Sequence, residues 1–336
     1  MFPMKAILKQ AGCLAVFSLC LTSSCSLRHN RAVDHYVTAT ALQSAELDED
    51  AILELQECVK LDPEFSLAHS LLGSMYREQG RYEESAVAYE SACLLDPWSF
   101  SDHLNLGQVY QILQRFGDAI VKLQRACQLN PQSPAANFSL AECYYETGEY
   151  EQAEKFCGRA AELDPNNEEF LASLGDIYKK TGDDYKALNA YKQALEINPD
   201  QPEVMIRMGN VYAGMERYSA AQLILEKALE VSPDYTDAHM SLAYCFLKQK
   251  QFQGAMDHYK KATVLAPKSY QALNGLGVTY LMVYVENRQD RQMARDGLEC
   301  LHQSLEIQPD QPKIKGWIDK YSPEVHAAGQ PAPAGQ

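Results

Sequence analysis

The stretch Ser66 to Ser99, "SLAHSLLGSMYREQGRYEESAVAYESACLLDPWS", decides the fold. Its apolar and small residues fall at helical spacing in two runs. Leu72, Gly73 and Tyr76 share one face of the first run. Tyr82, Tyr89 and Ala92 mark the second, which stops at Pro97. A small residue lets two helix backbones approach, and the aromatic residue three positions later lies on the same face and fills the gap beside the neighbour. Proline cannot continue a helix and pushes the residue before it out of helical geometry, so it closes the second run.

The same pattern recurs along the chain. Prolines at 63, 97, 131, 165, 199, 233 and 267 follow one another at steps of 34 residues, and Pro309 follows after one period plus eight. The interior slots move with them. They hold Leu106-Gly107-Tyr110, Leu140-Ala141-Tyr144, Leu174-Gly175-Tyr178, Met208-Gly209-Tyr212 and Leu242-Ala243-Phe246. A fixed period of 34 resembles the tetratricopeptide repeat (TPR), a pair of antiparallel helices that buries its faces only by stacking. The fold predicted is all-α: a right-handed TPR superhelix, an α-solenoid of about eight helix-turn-helix repeats with a C-terminal capping helix. The array is placed at 32–310. Its first repeat is degenerate, and its eighth carries eight extra residues within "LMVYVENRQDRQMARDG". The cap is placed at 311–322, and a tail at 323–336, "HAAGQPAPAGQ" at its end, is expected to be disordered.

The amino terminus has a different character. Lys5 and Lys9 precede the apolar run "AGCLAVFSLCL", which is too short to span a bilayer but fits a secretory signal. "LTSSC" then resembles the lipobox of bacterial lipoproteins, although Thr22 stands where that family usually has leucine. The resemblance implies a signal peptide at 1–24, acylation of Cys25, a lipidated linker at 25–31 and a protein facing the periplasm. Ser26 implies the outer membrane, by the familiar enterobacterial sorting pattern. An ordinary signal peptide cut nearby, giving a secreted and unlipidated adaptor, is the alternative.

Composition narrows the function. The chain of 336 residues carries 30 Lys and Arg against 45 Asp and Glu, a net charge of −15. Without the two leader lysines the balance is 28 − 45 = −17. Such a surface, with no basic stripe, argues against nucleic-acid binding. No phosphate loop, GxSxG or HExxH motif appears, and the repeats leave no room for a catalytic domain, so no enzyme activity and no cofactor are expected. The remaining enzymatic or ligand-sensing alternative would use the insertion in the eighth repeat. His35, His69, His103 and His239 occupy one slot of the repeat and suggest a metal ladder, but equivalent residues of neighbouring repeats stand about 8–10 Å apart. Half-buried ring fillers are the expectation. The seven cysteines after Cys25 form no CxxC pair and read as buried thiols, with Cys143 and Cys157 the one pair worth testing for a bridge.

In TPR arrays the first helices line a concave groove, and the resemblance points repeat positions 2, 5, 9, 12 and 13 into it. Position 5 holds Leu104, Phe138, Ile206 and Met240 among others, and Tyr145 and Tyr244 lie nearby, as do Ile112, Leu247, Leu281 and Met282. Leu104, Phe138, Tyr145, Ile206, Met240 and Tyr244 are therefore the expected partner-binding residues, rimmed by Glu142, Glu146, Glu169 and Asp176. The Lys and Asn clamp of the co-chaperone branch is missing, because no position 5 is lysine and only Asn210 matches at position 9. The resemblance as a whole implies a membrane-tethered scaffold. It would bind envelope proteins or peptides and assist assembly of a complex such as a type IV pilus or a secretin.

Overall fold

The computed structural model describes residues 27–326, and the signal peptide and Cys25 lie outside them. The described residues are helical with short connections and no strand. Helix α1 covers 27–44, so residues 27–31, expected as linker, are already helical; Ala32 is fully buried against the pairs that follow. The chain divides into two compact units, one ending at Asp164 and the other starting at Pro165.

The first unit stacks four pairs: α1 with α2 (Asp48–Leu61), α3 (Ser66–Glu78) with α4 (Tyr82–Leu95), α5 (Phe100–Ile112) with α6 (Phe116–Leu129), and α7 (Pro134–Glu146) with α8 (Tyr150–Leu163). The second unit stacks α9 (Glu168–Thr181) with α10 (Asp184–Ile197), α11 (Pro202–Gly214) with α12 (Tyr218–Val231), α13 (Thr236–Lys248) with α14 (Phe252–Leu265), and α15 (Tyr270–Glu286) with α16 (Arg291–Ile307). Helix α17 (Pro312–His326) packs on α16. It runs past the expected end of the cap at 322.

Local chemistry sets these boundaries. Ser99, Ser133 and Ser269 cap α5, α7 and α15 by accepting from the backbone N–H three residues on, at 3.2–3.3 Å. Asn167 and Asp183 do the same for α9 and α10. Pro134, Pro202 and Pro312 sit at first helical positions, where no N–H is missed. Between the two helices of every pair but α15 and α16 one residue takes a left-handed backbone. Gly80, Gly148 and Gly182 supply it freely, whereas Gln114, Glu216 and Lys250 adopt it at φ of about 60° in the equivalent turns.

The glycine slot follows its neighbour's size. A Cβ on Gly107 would stand 2.5 Å from Leu123 Cγ, and one on Gly175 2.5 Å from Tyr191 Cε1. The equivalent places of the fourth repeat hold Ala141 and Cys157, both buried, and Cys157 is a much smaller side chain than leucine or tyrosine. The extra residues of the eighth repeat are absorbed by lengthening: α15 and α16 have 17 residues each, against 13 and 14 in α13 and α14. Leu281 and Tyr284 are buried by this extension, and Tyr284 meets Tyr321 of α17 edge-on at 6.4 Å. The insertion therefore builds a seat for the cap.

Candidate functional site

The inner faces of the first helices differ from the expected apolar stripe. Phe138 and Ile206 are buried, at 8% and 6% exposure. The reason is the direction of position 5. It faces the start of the next first helix, as Ser70 does in donating to Asp102 (2.9 Å) and Asn274 in donating to Gln311 (2.6 Å). Ile206 accordingly packs with Ala238 and Leu242 of α13. Leu104 and Met240 are half-buried for the same cause. Positions 9 and 13 are instead open to solvent, as is position 12 on α3, α5 and α7, whereas Ala213 and Leu281 at position 12 are buried.

In the first unit these positions on α3, α5 and α7 form an open pocket of about 760 Å³. Arg77, Gln108, Gln111, Ile112, Ser139 and Glu142 line it. Hydrogen bonds join the three helices across its floor. Arg77 Nη1 donates to Asn105 Oδ1 at 3.0 Å, Gln108 Nε2 to Ser139 Oγ at 3.3 Å, and Gln111 Nε2 to the Ser139 carbonyl at 3.1 Å. Ile112, half exposed, is its main apolar surface, and Glu142 and Glu146 give one side a negative charge. Tyr145 is half-buried and meets Tyr150 edge-on at 5.7 Å. Neutral amides of this kind can donate to and accept from a peptide backbone at the same time.

The second unit has its own inner pocket, about 410 Å³, lined by Asn210, Met240, Ser241, Tyr244, Tyr259 and Gln271. Tyr244, 41% exposed, is held edge-on by Tyr218 and carries Lys248 over its face. Asp176 is engaged elsewhere in this unit: it accepts from the Tyr191 hydroxyl at 2.7 Å and pairs with Arg207 at 2.7 Å. Of the residues expected to bind a partner, Met240 and Tyr244 thus share one pocket, and Tyr145 and Leu104 do not line the first-unit pocket. Gln108, Gln111 and Arg77 escaped the sequence reading, which looked for large apolar residues. The signal available was the amide series Asn105, Gln108 and Gln111 along one face of α5.

The histidine slot has a structural role. Nε2 of His69, His103 and His239 donates to the carbonyl of Pro63, Pro97 and Pro233 at 3.0–3.3 Å, and Asn137 Nδ2 donates to Pro131 O in the same way. Each bond ties a first helix to the loop preceding it. Burial lowers the pKa of His103, whose Nδ1 is enclosed without a partner. Among the described residues no group of three or more His, Cys, Asp or Glu side chains could hold a metal ion. Cys143 and Cys157 are buried and unbridged, and burial pushes the thiols of Cys93 and Cys143 up to about 12. No described helix is long and apolar enough to cross a membrane.

Known structures share this architecture. The C-terminal part of a TPR-containing protein from Cytophaga hutchinsonii superposes with a TM-score of 0.61 at 16% identity, covering 72% of this chain and 99% of its own. The Cut9–Hcn1 hetero-tetramer of the APC/C gives 0.56 at 16% identity, over 82% of this chain and 52% of the other. PilF of Pseudomonas aeruginosa gives 0.52 at 19%, over 62% and 94%. At these identities the likeness shows the fold. No curated protein sequence matches the chain. A family model described as the cilia and flagella-associated protein 70 C-terminal domain matches residues 31–275, the greater part of the array. With its period, its stacked pairs and that match, the chain belongs to this family of tetratricopeptide-repeat domains.

Proposed function

We propose that the chain is a membrane-tethered scaffold that binds partner proteins or peptides on the inner faces of its first helices. The observation that carries the binding is the bridged amide pocket of the first unit, where Gln108 and Gln111 span α5 and α7 around a half-exposed Ile112. The stack has no packing need for an exposed isoleucine there, and polar groups set around an apolar centre are the usual make-up of a recognition surface. The smaller pocket around Met240 and Tyr244 offers a separate contact for an aromatic or aliphatic side chain. The tether rests on the leader and "LTSSC": an acylated Cys25 would hold the repeats in the periplasm at the outer membrane. An envelope assembly, such as a type IV pilus or a secretin, is the setting in which such a scaffold would act. The family match, over residues 31–275, bears on the greater part of the array.

The test compares capture from solubilised membranes with capture from the soluble fraction. Wild type should enrich a partner from membranes, and Gln108→Ala with Gln111→Ala should lose it while keeping its helical circular dichroism. Equal capture by both proteins would overturn the pocket. Unchanged membrane partitioning of Cys25→Ser would favour the secreted adaptor.

A further inference from the structure

On the outer side of the first, fourth and seventh pairs, position 23 of the second helix (Glu54, Phe156 and His258) lies against a ring of the first. In the first repeat Glu54 meets His35 Nδ1 at 2.5 Å, and in the fourth Phe156 stacks on Tyr144 with ring centroids 5.8 Å apart. The second repeat has Ala88 at this slot. Its side chain ends at Cβ, buried in the cluster with Leu72 and Tyr76 at the floor of the space that a larger side chain would fill. A crevice of about 400 Å³ is left between α2 and α4, with Val59, Leu72, Tyr76, Val87 and Ala88 as its apolar lining. Through its rim at Val87 runs a row of aliphatic residues at one repeat position, Leu53, Val87 and Val121, exposed at 58%, 63% and 61%. Three consecutive exposed aliphatic residues above a crevice are more than the scattered apolar side chains of an ordinary surface.

The polar groups at this crevice are chiefly acceptors. Glu83 and Glu84 lie on one side, and Glu83 makes no ion pair among the described residues, whereas Glu84 pairs with Arg81 at 2.9 Å. His69 donates through Nε2 to Pro63, which leaves Nδ1 as an acceptor, the nitrogen that in His35 is met by position 23. The hydroxyl of Ser91 is turned to the Val87 carbonyl. We propose that this crevice is a second docking site, for a segment of a partner protein that inserts an aliphatic or aromatic side chain and carries Lys or Arg beside it. The charge of the whole chain, −15, adds long-range attraction for such a segment. This site is independent of the inner pockets, so one scaffold could hold two partners.

The chain supplies its own blocking variant. Ala88→Phe places in the second repeat the residue that the fourth repeat carries at that slot, so it fills the crevice with a side chain the architecture accepts. The probe is a random dodecapeptide phage library panned on the full chain in detergent, with counter-selection on Ala88→Phe. The peptides retained should pair an apolar residue with Lys or Arg within the next four positions. Their affinity, read by fluorescence anisotropy, should fall about tenfold or more for Ala88→Phe and for Glu83→Lys with Glu84→Lys, and should weaken with salt. Should Ala88→Phe fail to fold, Val87→Lys, on an exposed side chain, must give the same loss. Retained peptides without basic residues, or none that tell wild type from Ala88→Phe, would overturn the proposal. A dimer of wild type that Ala88→Phe turns into a monomer in sedimentation would instead assign the crevice to a second copy of the chain, and would equally overturn it.

Discussion

Substitution of Gly175 probes the closest contact that the repeat register demands. A Cβ there would lie 2.5, 2.6 and 2.9 Å from Cε1, Cδ1 and Cζ of Tyr191. The Tyr191 ring cannot swing aside cheaply, since it is 1% exposed and its hydroxyl is fixed on Asp176. Overpacking of this kind costs about 1–3 kcal/mol. Removing a glycine from a helix interior returns about 1 kcal/mol. Gly175→Ala should therefore lower stability by about 1 kcal/mol, and Gly175→Leu by about 3 kcal/mol, because three more carbons must enter the same space. The background decides the sign. With Tyr191→Cys the pair becomes the Ala141 and Cys157 combination of the fourth repeat, the clash disappears and only the helix term remains. Gly175→Ala should then stabilise by up to about 1 kcal/mol. Urea denaturation followed by circular dichroism on the four proteins of the cycle gives both values. The same sign in both backgrounds would refute the reasoning.

Four further outcomes are expected. Phe138→Ala should lower stability by about 3 kcal/mol, as loss of a buried ring does, rather than weaken binding selectively; an unchanged denaturation midpoint would return Phe138 to the groove surface. Stability should fall as pH drops below 6.5, because the unfolded chain takes up protons at His103 and His258 that the folded one resists through burial; His103→Asn, which copies Asn137 of the next repeat, should flatten the profile measured by thermal melts from pH 8 to about pH 5. Cys93 and Cys143, with thiols at about 12, should react with a disulfide reagent at pH 8 far more slowly than in urea, and fast native labelling would contradict their burial. Cys25→Ser should move the protein from the membrane to the soluble fraction and change its gel mobility, and failure of either change would count against acylation.

The repeat period made most of the fold legible. Pro97 and its equivalents mark the second-helix ends because a backbone constraint is local and survives in any context. The glycine slot was legible as a position but not as a rule. Ala141 and Gly175 look interchangeable until the residue at the equivalent second-helix place, Cys157 or Tyr191, is known. The binding surface was least legible. Position 5 lies on the inner face of an isolated pair, and only the next repeat, reaching Ser70 through Asp102 or Asn274 through Gln311, shows that it is covered. The eight extra residues of one repeat had no role legible in the sequence, because the seat that Leu281 and Tyr284 make for α17 depends on a helix beyond the repeat.

The central claim is that partners are held on the inner faces of the first helices, and site-specific photocrosslinking in cells tests it most directly. A photoreactive benzoyl-phenylalanine at Ile112 reports on the pocket of the first unit, and one at Asn210 on that of the second. The same group at Glu151 or Lys192, exposed on second helices away from both pockets and from the crevice at Ala88, is the control. The account predicts a discrete crosslinked partner from Ile112 or Asn210 and none from Glu151 or Lys192. Crosslinks from the two control positions alone would contradict it.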